Sequence, residues 1–141
     1  MACIAETLGL ALPDSAAIPA VHSDRLVAAE RSGAVAVDLI RRPIRPAEIV
    51  TEKAVENALR VLMAISGSTN AVVHLAAIAG RAGIRVAPER FNQISDETPV
   101  LVDLKPVGEG YMEDFFAAGG LGAVLREIRR LLQLDAVNVL G

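Results

Sequence analysis

One stretch limits the folding of this chain more than any other: AISGSTNAVVHLAAIAG, residues 64–80. An apolar run stops at Ser66-Gly67-Ser68-Thr69, passes through Asn70, and resumes with the spacing of a buried helix. Such a break ends one helix and starts another. Thr51 is a plausible cap for the helix before the break, with Ala54, Val55, Ala58, Leu59 and Leu62 on its buried face. The helix after it is predicted from about Asn70 to Arg81, with Gly83 at its C-cap position.

Ser68, Thr69 and Asn70 stand where the first N–H groups of the second helix lack partners, so each can cap it. Gly67 lets the backbone turn or approach a ligand closely. Two readings follow: the polar residues cap a buried helix, or the helix start binds the carboxylate or hydroxyls of a small acid. No GxxxxGK[ST] pattern is present, so the stretch is not a phosphate-binding loop of that type.

The rest of the chain is read by the same punctuation. Met1 to Leu8 is predicted as a short helix closed by Gly9 and Pro13, and PDSAAIPA as irregular. Ser23 and Asp24 look like an N-cap, after which Leu26, Ala29, Gly33, Ala36, Val37 and Ile40 recur at helical spacing until Pro43 and Pro46. That stripe of small residues predicts close approach by another element. Pro88 to Ile94 fits a short helix with Pro in its first turn. VLVDL after Pro99 reads as a strand, Pro106, Gly108 and Gly110 as breakers, and YMEDFFAAGG as one or two helical turns ended by Gly119-Gly120. An amphipathic helix follows, with Leu121, Val124, Leu125, Ile128 and Leu131 or Leu132 inward; DAVNVL resembles a second buried strand. Strand, helix, strand predicts a right-handed βαβ unit. The expected class is α/β, helix-rich with a short parallel sheet, as part of a larger α/β/α domain.

Composition excludes several functions. The chain has 141 residues, 52% of them hydrophobic, with four aromatics and no Trp, which suits closely packed helices. A net charge of -3 and no basic run beyond two adjacent arginines leave no footprint for nucleic acid. No apolar stretch reaches the roughly 18 residues of a spanning helix, and no basic flank marks a signal peptide, so no membrane is expected and the cytoplasm is the expected compartment. The one cysteine, Cys3, rules out an internal disulfide and any multi-cysteine metal site built from this chain alone. It is expected to pack as a small apolar residue.

Other candidates carry a functional and a plain reading. His74, one turn past Asn70, is expected to be a packed, hydrogen-bonded histidine rather than a site residue, and His22 a loop residue. Glu113 and Asp114 are adjacent, hence on different helix faces, and cannot pair as catalytic carboxylates. Asp103 and Lys105, at the end of the expected strand, are better placed for a ligand, with Lys105 either an anion contact or a surface lysine.

The strings SGSTNAVVHLAAIAGRAG, SDETPVLVDLKP and YMEDFFAAGG, with MACIAETLG at the start, resemble the dehydratase family containing dihydroxy-acid, phosphogluconate and aldonate (sugar-acid) dehydratases. The likeness runs over essentially the whole chain, and YMEDFFAAGG and TPVLVDLKP look more like the aldonate branch. It implies a hydro-lyase that removes water from a 2,3-dihydroxy acid to give a 2-keto acid. An iron-sulfur cluster and Mg2+ serve the family's chemistry, since hydroxide leaves poorly and the proton beside a carboxylate is weakly acidic. The resemblance also implies that the cluster cysteines, the Mg2+ acids and the base serine lie outside residues 1–141, so that the chain is a partial catalytic domain holding neither cofactor by itself, from an enzyme expected to be a homo-oligomer. No catalytic or metal residue is then expected here. Gly67, Ser68, Thr69 and Asn70 match a family motif and are the expected pocket-lining or helix-fixing residues. Ser66 departs from the family's usual Gly in GGSTN, and NVLG from a TVTG-like turn. A reading of another class makes the chain a binding or oligomerisation module that uses the stripe at Leu26, Ala29, Gly33 and Ala36.

Overall fold

The computed structural model describes residues 1–105 and 107–141, and helices carry its architecture. In order these are α1 (Ala2–Thr7), α2 (Asp24–Arg41), α3 (Pro46–Ile49), α4 (Glu52–Ala64), α5 (Thr69–Arg81), α6 (Pro88–Glu97), α7 (Met112–Ala117) and α8 (Gly120–Glu127), then a 3-10 turn at Arg129–Leu131.

The centre is α4. Nine of its 13 residues are buried, and α1, α5, α6 and α8 pack around it. The Thr51 hydroxyl caps it as the spacing predicts, accepting from the Ala54 N–H at 3.3 Å. Ile4 of α1 and Leu8 just after it, Leu75 of α5, Ile94 of α6 and Leu121 of α8 belong to one cluster with Leu59 and Leu62. Burial of side chains this size contributes roughly 1.5–3 kcal/mol each, so this cluster is the main source of stability.

The expected α/β class is wrong for the described residues, which contain no β-strand and only an isolated bridge between Leu104 and Gly110. The two segments read as strands never meet. The Leu101 N–H goes to the carbonyl of Ala64 at the end of α4 (2.8 Å), while the Val139 N–H goes to Gly9 after α1 (2.9 Å). A β-branched segment becomes a strand only when a second one pairs with it, and here the helix ends take the bonds that a ladder would use. Pro106, read as a breaker, lies outside the described residues.

The stripe on α2 is corrected too. This helix of 18 residues buries none of them. It carries two apolar faces: Ala28, Val35 and Leu39 are half-buried, whereas Leu26 (77% exposed) and Ile40 (81%) point away from the body. Periodicity identified an apolar stripe but not which of two would be used. Pro46, read as a stop, also begins the short helix α3, for which a missing N–H and a preset φ suit it.

Candidate functional site

The polar break folds as a tight reversal between α4 and α5. The Gly67 N–H bonds to the carbonyl of Leu62 (2.8 Å) and the Ser66 N–H to that of Met63 (3.1 Å), the paired bonds of a Schellman turn. Ser66 takes the left-handed position of that turn, at φ 52°, where glycine is the usual residue. Gly67 is required for a different reason. A Cβ there would lie 2.2 Å from Leu62 Cδ1 and 3.0 Å from the Leu62 carbonyl oxygen, so only a bare backbone can press against the last turn of α4.

Ser68 then caps α5, its hydroxyl accepting from the Asn70 N–H at 3.0 Å. Of the three residues able to cap, it is the one with extended backbone just before the helix. Gly67, Ser68, Thr69 and Asn70 are all exposed, so the reversal stands at the surface rather than within the core. Among the described residues no other group of the chain bonds to the Thr69 hydroxyl or the Asn70 amide. Chemically this is a rigid helix start with hydroxyl and amide groups free to meet a polar ligand.

His74 is not packed as expected. It is exposed and borders an apolar groove on the outer side of α5. His22 is an exposed loop residue, with its ring edge-on to Phe116 at 5.2 Å. The Lys105 ammonium donates to the Tyr111 hydroxyl and lies 4.0 Å from the ring centroid, a cation–π contact that accounts for it as a surface lysine. The Asp114 carboxylate accepts the Tyr111 N–H at 2.8 Å and holds the start of α7, while Glu113 is solvated. Asp103 and Asp114 border an apolar cavity of about 300 Å³ under α7 and α8, which residues 67–70 do not line.

Three polar groups were missed by the sequence reading. Asn57 of α4 is buried; its amide donates to the Gln133 carbonyl (2.9 Å) and its oxygen accepts the Gln133 N–H (2.8 Å), mimicking a rung of sheet for the C-terminal segment. Arg60, also buried, donates to Glu56 (3.1 Å) and Glu97 (2.9 Å), and Arg90 completes the clamp on Glu56 (2.9 Å). Its available signal was the i, i+4 spacing of Glu56 and Arg60. The Glu6 carboxylate accepts the N–H groups of Asp14 (2.8 Å) and Ala16 (2.6 Å), fixing the loop between α1 and α2. Burial pushes the Glu6 carboxyl upward against those bonds.

Cys3 is buried at 6% exposure, and burial pushes its thiol up, away from the thiolate that a ligand or nucleophile requires. Among the described residues no three His, Cys, Asp or Glu side chains stand together as a metal site. The single, buried thiol among the described residues does not fit an iron-sulfur cluster, which needs several thiolates. No helix of the described residues is long and apolar enough to cross a membrane.

A family profile described as dihydroxy-acid/6-phosphogluconate dehydratase N-terminal matches residues 1–141. The chain belongs to this dehydratase family. Within it, L-arabonate dehydratase of Azospirillum brasilense is 52% identical, over 99% of this chain and 24% of its own length. Dihydroxy-acid dehydratases of Caldanaerobacter subterraneus subsp. tengcongensis and Renibacterium salmoninarum are 46% and 48% identical, over the whole chain and 26% and 25% of their own lengths. The chain thus spans about a quarter of the length of these dehydratases. Ser66, which departs from the GGSTN that the resemblance implies, stands at positive φ. A glycine would meet this backbone demand without penalty, and serine meets it at the cost of local strain.

Proposed function

We propose that the chain is a partial catalytic domain of a dehydratase that converts a 2,3-dihydroxy acid to a 2-keto acid. In that role it supplies scaffold and one wall of the substrate pocket, the wall formed by Gly67, Ser68, Thr69 and Asn70. One observation carries the reading: the family motif is held at the surface as a capped helix start with its Thr69 and Asn70 side chains unengaged. A helix start favours an anionic group such as a substrate carboxylate. The higher identity to L-arabonate dehydratase (52%) than to the dihydroxy-acid dehydratases (46% and 48%) supports an aldonate such as arabinonate or xylonate over 2,3-dihydroxyisovalerate.

Metal cofactors belong to this family's chemistry, and an iron-sulfur cluster and Mg2+ would supply Lewis acidity to the departing hydroxyl and the substrate carboxylate. This chain's own residues would orient the acid and keep the helix start rigid. The enzyme so completed is proposed to act as a cytoplasmic homo-oligomer.

The test replaces the matching part of the A. brasilense L-arabonate dehydratase with residues 1–141 and assays 2-keto acid formation from L-arabonate and from 2,3-dihydroxyisovalerate. The chimera is expected to turn over L-arabonate faster, and Thr69→Ala with Asn70→Ala to raise KM without unfolding it. A folded, cofactor-loaded chimera whose kinetics ignore both substitutions would remove residues 67–70 from the pocket. The isolated chain is expected to give no turnover after iron-sulfur reconstitution, because one cysteine does not hold a cluster. Keto-acid formation by it would end the proposal.

A further inference from the structure

Glu56, Arg60 and Ala64 of α4 follow one another at one-turn spacing and so share a face. Their partners come in the same order along the chain. Arg90 meets Glu56 (2.9 Å), Glu97 meets Arg60 (2.9 Å), and the Leu101 N–H meets the Ala64 carbonyl (2.8 Å). Helix α6 and the segment after it are thereby laid along α4 up to the point where the reversal begins. Arg60 and Thr98, the residue after Glu97, are both buried, so the middle of this contact is internal to the chain.

The last turn of a helix leaves carbonyls that need partners from outside it. At the end of α4, Val61, Leu62 and Met63 accept from Ile65, Gly67 and Ser66 within the reversal, and of these last four residues only Ala64 is supplied from farther along the chain, by Leu101. The reversal benefits from that outside hold. Ser66 sits at φ 52°, a conformation unfavourable to serine, and fraying of the last turn would relieve it. Glu97 does not serve α6 itself, because a carboxylate in the last turn opposes the helix dipole and no basic residue stands there to offset it. Its favourable partner is Arg60.

We propose that Arg60 is a positioning residue for the wall at residues 67–70, acting through Glu97 and the segment that brings Leu101 to the end of α4; this role rests on the pocket reading above. With the clamp in place the Ser66–Gly67 turn stays closed, and Ser68 to Asn70 keep one orientation toward the substrate carboxylate. Without it the wall is aligned only part of the time, and substrate binding suffers rather than the chemical step.

Hydrogen exchange at the Ser66, Gly67 and Leu101 amides of the 141-residue chain reads the hold itself. Glu97→Ala is expected to speed exchange there about threefold, and Arg60→Gln to do the same. Asn57→Ala, which loosens the fold without touching the clamp, should leave these three amides unchanged. Adding Ser66→Gly to Glu97→Ala should restore slow exchange, a rescue that a general loss of stability would not give. In the chimera with the A. brasilense L-arabonate dehydratase, Glu97→Ala is expected to raise the KM for L-arabonate about threefold at unchanged kcat, and Asn57→Ala to change neither. Unaltered exchange in the Glu97→Ala chain overturns the proposal, as does a KM that responds to Thr69→Ala and Asn70→Ala but not to Glu97→Ala. A KM indifferent to all three substitutions places the fault in the pocket reading, and the positioning role falls with it.

Discussion

Helices α4 and α2 carry apolar residues at the same helical spacing, yet nine residues of α4 are buried and none of α2. The difference does not lie in propensity. Four helices converge on α4 and cover most of it, leaving Glu52 and Lys53 exposed, and even Asn57 and Arg60 are drawn inside, bonded to Gln133 and Glu97 at the surface. Only one side of α2 meets the body. An apolar stripe thus states that a face can be covered, and the arrangement of other elements decides whether it is.

This contrast is broken most sharply by matched truncations. Leu59→Ala in α4 is expected to cost about 2–5 kcal/mol in chemical denaturation, since a fully enclosed site cannot collapse around the lost atoms. A loss below about 1 kcal/mol would mean that α4 is not the centre.

The next largest effect is expected at Asn57. Asn57→Ala removes two bonds to Gln133, whose exposed backbone then turns to water, a loss of about 1–2 kcal/mol. Hydrogen exchange should speed up over residues 133–139 in this variant, and unchanged protection there would assign the segment's order to something else.

The clamp between α4 and α6 is predicted to respond to acid. Burial opposes the charge on Glu56, but the hydrogen bonds and charges of Arg90 and Arg60 outweigh it and hold the carboxyl below its ordinary range. A carboxyl with a lowered folded-state pKa stabilises the fold above its unfolded pKa, and that stability is lost as pH falls through the folded value. Stability should therefore drop below about pH 4.3, and Glu56→Gln should flatten that part of the profile. An identical acid slope in the variant would show that the clamp does not contribute.

Two helix ends offer a finer comparison. Both α4 and α5 close with the same pair of bonds, but the left-handed residue is Ser66 (φ 52°) in the first and Gly83 (φ 77°) in the second. Ser66→Gly is expected to raise stability by about 0.5–1 kcal/mol and Gly83→Ser to lower it by a similar amount. Thermal melts that move both variants in one direction would contradict the strain assigned to Ser66. The smallest effect belongs to Leu26→Ala on the outer face of α2, within about 0.5 kcal/mol.

Helix positions were largely legible. The Thr51 cap, the start of α5 within the stretch from Ser68 to Asn70 and the left-handed glycine at 83 follow from local chemistry, because a cap needs only its own next turn. The inward residues of α8 were legible for the same reason, as Leu121, Val124 and Ile128 lie on one stripe and are all buried. The strands were not. VLVDL and DAVNVL have strand composition, but pairing requires a distant partner, and each instead bonds a different helix end. His74 failed similarly, since an apolar helix gave no sign of which of its sides would meet α4.

The candidate site divides along the same line. The capping at residues 68–70 could be read from residue types, because serine and asparagine act on their nearest backbone groups, whereas the positive φ of Ser66 came only from the structure. That the reversal faces solvent, that Asn57 holds Gln133 from 76 positions away, and that Leu101 supplies the end of α4 depended on which helices met. By itself the sequence determined where helices start and stop, since those energies are local. Only the tertiary structure decided which apolar faces are spent on the core, because burial is a property of two surfaces and neither sequence segment contains the other.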